Sequence, residues 1–280
     1  MNIKNYASLI RFHNLGGMWL TFFPALFVIA LLGADLLAAL WIPFFLLGAF
    51  VIRSAGCIIN DIADHKFDAK IARTSARPIA SGSIRITETL PLLGIFLLIG
   101  FSLTFLLGAE AIILGVATML GTAIYPFAKR YFYYPQIVLA AVFNTGALFA
   151  SIAVSGAIHG TAFFVYIACF FWTLYYDTIY AHQDKLGDKE LGLHSISLTG
   201  FGSKTWLKKY SRIALSFLAF AGVLPSLNLL YYCCLAGLFF MEEKFTESLD
   251  LDDPQSCWNA FNSMKMVGLF IFCIILLGRV

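Results

Sequence analysis

The sequence predicts an all-α polytopic membrane protein of about nine transmembrane helices, and three observations predict it. Of 280 residues, 60% are hydrophobic, 16% aromatic and only 12% charged, against about 45–50% apolar and about 25% charged in soluble globular chains. The apolar residues gather in stretches that approach the roughly 20 residues needed to cross a bilayer. Alternating those stretches across a membrane collects the basic residues on one side. Half the usual charge cannot cover a soluble surface of this size, and the mean hydropathy of +0.82 agrees. A soluble enzyme, a disordered chain and a nucleic-acid-binding protein of the basic-surface type are thereby excluded.

Taken in order, residues 1–13 set Tyr6, Leu9, Ile10 and Phe12 among Lys4, Arg11 and His13, the pattern of a short interfacial helix. Apolar stretches follow near 16–33, 37–59, 88–108, 111–128, 136–155, 160–181, 211–227, 228–241 and 264–278. Only Pro225 and Asn228 separate the seventh from the eighth. The first stretch has no small-residue cleavage site and reads as a retained helix. Nine spans use roughly 180 residues, which leaves no room for a sizeable soluble domain. Residues 1–280 therefore read as one membrane-embedded domain with two halves, about 1–135 and 136–280. The longer polar connections are 60–87, 182–210 and the acidic 242–263.

With a cytoplasmic N-terminus, nine crossings place every one of the 19 Lys and Arg except Arg279 on the cytoplasmic side. The positive-inside rule thus supports both the span count and the orientation. It also puts the long polar connections in the cytoplasm. Cys57, Cys169, Cys233, Cys234, Cys257 and Cys273 form no metal-type spacing and read as small hydrophobes. The five histidines show no zinc spacing.

Two aspartate clusters carry the chemistry. Asn60-Asp61-Ile62-Ala63-Asp64-His65-Lys66-Phe67-Asp68 ends the second stretch. Asp177 through Asp184 and Asp188 ends the sixth. At about 100° per residue, Asp61, Asp64 and Asp68 share a helical arc of roughly 60°, and so do Asp177, Asp184 and Asp188 if the helix stays regular through Gly187. Three carboxylates on one face repel one another and need a cation. Hard oxygen ligands suit Mg²⁺, commonly held by carboxylates plus substrate phosphates. Two such stripes facing across a cavity would grip a diphosphate through metal ions. The competing reading, solvated helix ends, puts acids at the unfavourable end of the helix dipole.

Other polar residues leave alternatives open. Arg53 lies on the face of Asn60 and Asp64, roughly 10 Å deeper. It pairs with Asp64, or it receives a phosphate or a substrate carboxylate. Arg73 and Arg77 are topology signals or guides for a polyanion. Lys129 and Arg130, after Tyr125-Pro126-Phe127, read on their own as orientation charges. Asn144, inside the fifth stretch, needs a polar partner and reads as glue between helices.

The segments "RSAGCIIND", "NDIADHKFD", "RPIASG", "YPFAKRYFYYPQ", "YYDTIYAHQD" and "DLDDPQSCW" resemble the UbiA superfamily of membrane prenyltransferases over nearly the whole chain. The likeness is greatest to its 4-hydroxybenzoate polyprenyltransferase branch in ubiquinone biosynthesis. The resemblance implies nine helices around a central cavity that opens sideways to lipid, with polyprenyl diphosphate and 4-hydroxybenzoate as substrates and Mg²⁺ as cofactor. It assigns Asn60, Asp64 and Asp68 to a first metal–diphosphate site, with Asp61 close by, and Asp177, Asp184 and Asp188 to a second. Asp64 and Asp184 become the expected catalytic residues, Asp184 as an acceptor for the phenol proton. Arg53 matches a substrate-pocket arginine, and Lys129 and Arg130 match a basic pair near the diphosphate and the aromatic acid. This chain departs from the pattern at Leu186 and Gly187, where acids are common, near His194, where a lysine is common, and at Thr145, where a tryptophan is common. Competing readings are another acceptor (homogentisate, a naphthoate or haem) and a cation channel or transporter. Transporters, however, usually bind near the midplane, not at one end of the spans. The absence of an Arg- and Ser-rich leader points to a bacterial inner membrane.

Overall fold

Backbone polar groups cannot go unpaired in hydrocarbon, so a chain this apolar satisfies them within helices. The computed structural model describes residues 3–33, 36–71 and 73–280, apart from the side chains of Leu36 and Lys129, and contains no strand among them. A short helix α1 (Ile3–Leu9) precedes α2 (Gly16–Leu32) and the long α3 (Trp41–Asp68). Then come α4 (Ile86–Leu106), α5 (Ala109–Tyr131), α6 (Pro135–Phe143), α7 (Gly146–Ser155) and α8 (Gly160–Ala181). A short α9 (Lys185–Glu190) leads to α10 (Lys204–Val223), α11 (Leu229–Ser248) and α12 (Pro254–Arg279).

Among the described residues, six helical stretches are long and apolar enough to cross a membrane: Leu37–Asp68, Ile86–Leu106, Ala109–Ala128, Pro135–Ser155, Gly160–Glu190 and Pro254–Arg279. Gly16–Leu32 is apolar but shorter. The other two expected spans coincide with α10 and α11, whose ends carry Lys208, Lys209 and Arg212, and Glu242, Glu243 and Lys244. The integral-membrane class therefore holds, while the count of nine rests on helices of unequal apolarity.

Helix α2 is buried along almost its whole length, packed by α3, α7, α8 and α12. It has no polar face to show to water, as expected of a helix that is hydrophobic all round. Helices α4 and α5 are also apolar yet bury little, with Leu98, Phe105, Ile113 and Leu120 exposed. Exposure on this scale is the signature of a lipid-facing surface.

The structure moves several expected boundaries for one reason. Polar residues mark where the chain leaves the bilayer, not where the helix stops. Helix α3 runs on through the first aspartate cluster to Asp68, and α11 runs on to Ser248. Only 249–253 separates α11 from α12, where Asp253 caps α12 by accepting from the Gln255 and Ser256 amides at 3.0 Å each.

The fifth expected span is two helices, α6 and α7, meeting at Asn144–Thr145. There Asn144 Nδ2 donates to Ala140 O at 2.8 Å, and Thr145 Oγ1 donates to Val142 O at 2.9 Å. Side chains thus take backbone carbonyls at the break. The α8 stripe is also interrupted: a 3₁₀ turn, His182–Asp184, intervenes before α9. The six cysteines are free thiols, with Cys57, Cys169 and Cys257 buried.

Candidate active site

One large cavity of about 630 Å³ opens between the helices and takes lining residues from α2, α3, α4, α5, α8 and α12, among others. Asn60, Asp61, Asp64 and Asp68 reach it from the end of α3, and Asp177, Asp184 and Asp188 from α8 and the segment after it. The two clusters, 109 or more residues apart in the chain, thus share one mouth. Away from that mouth the lining turns apolar, with Phe44, Phe45, Phe96, Phe101, Phe143 and Phe149.

The cations that the carboxylates need are arginines. Arg11 Nη2 stands 2.6 Å from Asp61 Oδ1. Arg77 Nη1 lies 2.6 Å from Asp68 Oδ2 and 3.4 Å from Asp61 Oδ1. Arg73 makes a two-pronged pair with Asp184, its Nε 2.8 Å from Oδ1 and its Nη2 against Oδ2. Arg73 also donates to Tyr180 Oη at 3.2 Å and lies over the Tyr180 ring. Burial alone would lower the Arg73 pKa, but Tyr180 and Asp184 outweigh it and raise it above the ordinary value. Arg130 Nη2 lies 3.7 Å from Asp64 Oδ1 and 2.7 Å from Ala63 O, with its guanidinium over Phe67 and Phe127.

Arg11 was unassigned by sequence pattern. It follows α1 with φ 57°, and its Nη1 donates to Ser8 O at 3.0 Å and Leu9 O at 3.3 Å. It therefore caps α1 with one prong and meets Asp61 with the other. Arg73 and Arg77, weighed as topology signals or polyanion guides, are instead counter-ions of both clusters.

Arg53 differs from these four. It does not pair with Asp64; its Nη1 donates to Cys57 Sγ, and it lines the same cavity. Tyr125, also lining the cavity, is within electrostatic reach of Asp177, Asp64, Tyr180 and Arg53. The side chain of Lys129 lies outside the described residues. Asn144 is helix glue, as expected: its Nδ2 also donates to Thr173 Oγ1 at 2.9 Å, and Thr173 is 3.0 Å from Tyr176 Oη.

The departures have local settings. Leu186 is exposed, Gly187 faces Ile71, His194 meets the Tyr133 ring edge-on at 4.1 Å, and Thr145 lines the cavity.

The donor set is hard carboxylate oxygen, which fits a divalent cation such as Mg²⁺. Buried Asp61 Oδ2 has no hydrogen-bond partner, an orphan that such a cation or a substrate donor would satisfy. Among the described residues, however, no three His, Cys, Asp or Glu side chains converge closely enough to hold an ion. Asp61, Asp64, Asp68 and Asp184 are held by arginines instead.

A sequence profile of the UbiA prenyltransferase family matches residues 21–273. The chain is 35% identical over 275 residues to a protein of Caenorhabditis elegans named "4-hydroxybenzoate polyprenyltransferase, mitochondrial", covering 97% of this chain and 77% of that one. It is 36% identical to the Homo sapiens protein of the same name, covering 99% and 76%. Its fold is similar to the apo structure of a UbiA homolog from Aeropyrum pernix K1, at a TM-score of 0.77 and 22% identity over 94% of this chain and 98% of that one. It is also similar to a UbiA homolog from Archaeoglobus fulgidus bound to GPP and Mg²⁺, at 0.66 and 17% over 97% and 99%. With its helices, its shared cavity and this match along nearly its full length, the chain belongs to the UbiA prenyltransferase family.

Proposed function

We propose that this protein transfers a polyprenyl group from polyprenyl diphosphate to the ring of 4-hydroxybenzoate, giving 3-polyprenyl-4-hydroxybenzoate and diphosphate in ubiquinone biosynthesis. The observation that carries the reading is the single cavity with a charged mouth and an aromatic, apolar interior. Such a cavity suits a substrate that is a polyanion at one end and a hydrocarbon at the other. The names of the relatives supply the acceptor.

In this reading the chain is one domain whose halves each contribute one aspartate cluster. Asp61, Asp64, Asp68, Asp177, Asp184 and Asp188 would hold Mg²⁺, with Asp61, Asp64, Asp68 and Asp184 exchanging their arginine partners for it. When bound, Mg²⁺ neutralises the diphosphate and makes it a better leaving group. Asn60, Lys129 and Arg130 bind the diphosphate end, and Arg53 receives the acceptor.

The allylic C–O bond breaks with both electrons staying on the diphosphate oxygen. The ring carbon ortho to the hydroxyl bonds to the allylic carbon, and loss of the ring proton restores aromaticity. Asp184, released from Arg73, accepts the phenol proton as the ring attacks and returns it to the phenolate oxygen once the ring proton has passed to the released diphosphate. Phe44, Phe45 and Phe149 keep water from the cationic carbon.

The relatives are named as mitochondrial, which does not favour the expected bacterial inner membrane. The same topology serves either membrane, with the basic face and the aspartates on one side. The test uses membranes carrying the protein, 4-hydroxybenzoate and a polyprenyl diphosphate, with Mg²⁺ or with EDTA. The expected outcome is the 3-polyprenyl product by mass spectrometry, lost in EDTA. No product from folded protein would overturn the acceptor assignment.

A further inference from the structure

Five arginines stand at the cavity: Arg11, Arg53, Arg73 and Arg77 line it, and Arg130 reaches Asp64 at its mouth. Four of them are neutralised by aspartates at its mouth. Arg53 is the exception. Among the described residues it makes no ion pair, and the partner of its Nη1 is the Cys57 thiol. A neutral thiol is a weak acceptor. It can orient a guanidinium but cannot cancel its charge. A half-buried cation without a counter-ion is costly, and the cavity it faces is where an anion would relieve that cost.

The guanidinium is also held from the other side. Gly17, buried in the first turn of α2, lies directly beneath it. A methyl group built on Gly17 would stand 3.1 Å from Arg53 Cζ and closer still to Nε. No L side chain fits there without moving the arginine. Glycine inside a helix weakens it relative to alanine, so this close approach is what the glycine supplies. Cys57 sits one turn after Arg53 on α3 and is 3% exposed. Backbone of α2 on one side and a buried thiol of α3 on the other therefore leave the guanidinium one direction, into the cavity.

We infer that Gly17 and Cys57 are positioning residues that hold the uncompensated Arg53 guanidinium where it binds the carboxylate of the aromatic acid acceptor. The inference rests on the proposed reaction for the identity of the acid. Depth decides between the two substrate anions. Arg53 lies roughly 10 Å along α3 from Asn60, away from the carboxylates at the mouth where a diphosphate would be held. A planar guanidinium matches a carboxylate through two parallel hydrogen bonds, and 4-hydroxybenzoate carries its carboxylate at the end of the ring opposite the hydroxyl.

The test compares wild type with Gly17→Ala, Cys57→Val and Cys57→Ser. Two quantities are read: the Kd for radiolabelled 4-hydroxybenzoate on purified protein, and KM and kcat for each substrate in membranes. Gly17→Ala and Cys57→Val should raise the Kd and KM for 4-hydroxybenzoate about tenfold or more, the usual effect of losing hydrogen bonds to a charged group. The KM for polyprenyl diphosphate should stay unchanged. Cys57→Ser, whose hydroxyl accepts the same N–H, should restore most of the affinity. The neutral analogue 4-hydroxybenzamide should bind all four proteins alike, because it lacks the charge that Arg53 reads.

Should Gly17→Ala fail to fold, the Cys57 pair carries the comparison. Variants that bind 4-hydroxybenzoate as wild type does, or that weaken both substrates equally, overturn the inference. Failure of the proposed reaction looks different. Wild type would then form no prenylated product, while its affinity for 4-hydroxybenzoate still depended on Gly17 and Cys57. Loss of binding in wild type itself overturns both.

Discussion

Asp61, Asp64 and Asp184 are each held by an arginine from a distant part of the chain, and Asp68 by Arg77, nine residues on. The aspartates were legible in sequence because helical spacing puts them on a stripe, and a stripe of acids demands a cation. Their partners were not, since nothing in sequence connects Arg11 to Asp61 across 50 residues or Arg73 to Asp184 across 111. Asp61 is 1% exposed and takes two arginines, so it serves as a fixed anchor. Asp64 and Asp184 are more accessible, at 14% and 12%, which suits the partner exchange that the proposed reaction requires. Asp64→Ala and Asp184→Ala should each lower kcat by at least about a hundredfold, the scale of losing a group that stabilises transition-state charge. Both variants should keep the wild-type melting temperature in detergent within a few degrees. Turnover near wild type in either would remove that aspartate from the machinery.

Helix α3 delivers Asp61, Asp64 and Asp68 because it runs past the bilayer, and the 3₁₀ turn His182–Asp184 that follows α8 delivers Asp184. Twenty-eight residues of α3 span about 42 Å at 1.5 Å per residue, well beyond a hydrocarbon core of about 30 Å. Hydropathy located their membrane crossings but placed the polar ends in loops. A charged side chain is compatible with helix once it has reached water, so hydropathy could not mark the true stop. The break between α6 and α7 was hidden for the opposite reason, as both flanks are apolar and only Asn144 and Thr145 differ. Asn144 is 1% exposed, yet its side chain ties the break to Thr173 on α8, as its polarity in an apolar stretch foretold. Asn144→Ala removes both of its hydrogen bonds. The expected loss is about 0.5–2 kcal/mol, the measured range for polar contacts between membrane helices. Thermal unfolding in detergent checks this, and an unchanged midpoint would show that the break holds itself.

Across the whole molecule, charge and packing report the same orientation independently. Alternation of nine spans would put every Lys and Arg but Arg279 on one face. The structure then groups the opposite ends together without reference to charge. Arg279 Nη1 donates to Ala30 O at 2.5 Å and also to Gly33 O, so the end of α12 meets the end of α2. Asn228, at the start of α11, donates to Leu277 O at 3.0 Å. The lone basic residue of that face thus caps the free carbonyls that close α2, a structural duty that explains why it breaks the charge pattern. Both cavity-mouth clusters lie at the other ends of their helices. Ser83, in the segment between α3 and α4, and Ser226, in the turn between α10 and α11, are both exposed and on opposite faces by this reasoning. Ser83→Cys should react with a membrane-impermeant maleimide from the side that Lys185 faces, and Ser226→Cys only from the other. In sealed inside-out vesicles the first should label within minutes and the second only after permeabilisation. Labelling of both from one side would break the alternation that sets the shared mouth of the two aspartate clusters on one side of the membrane.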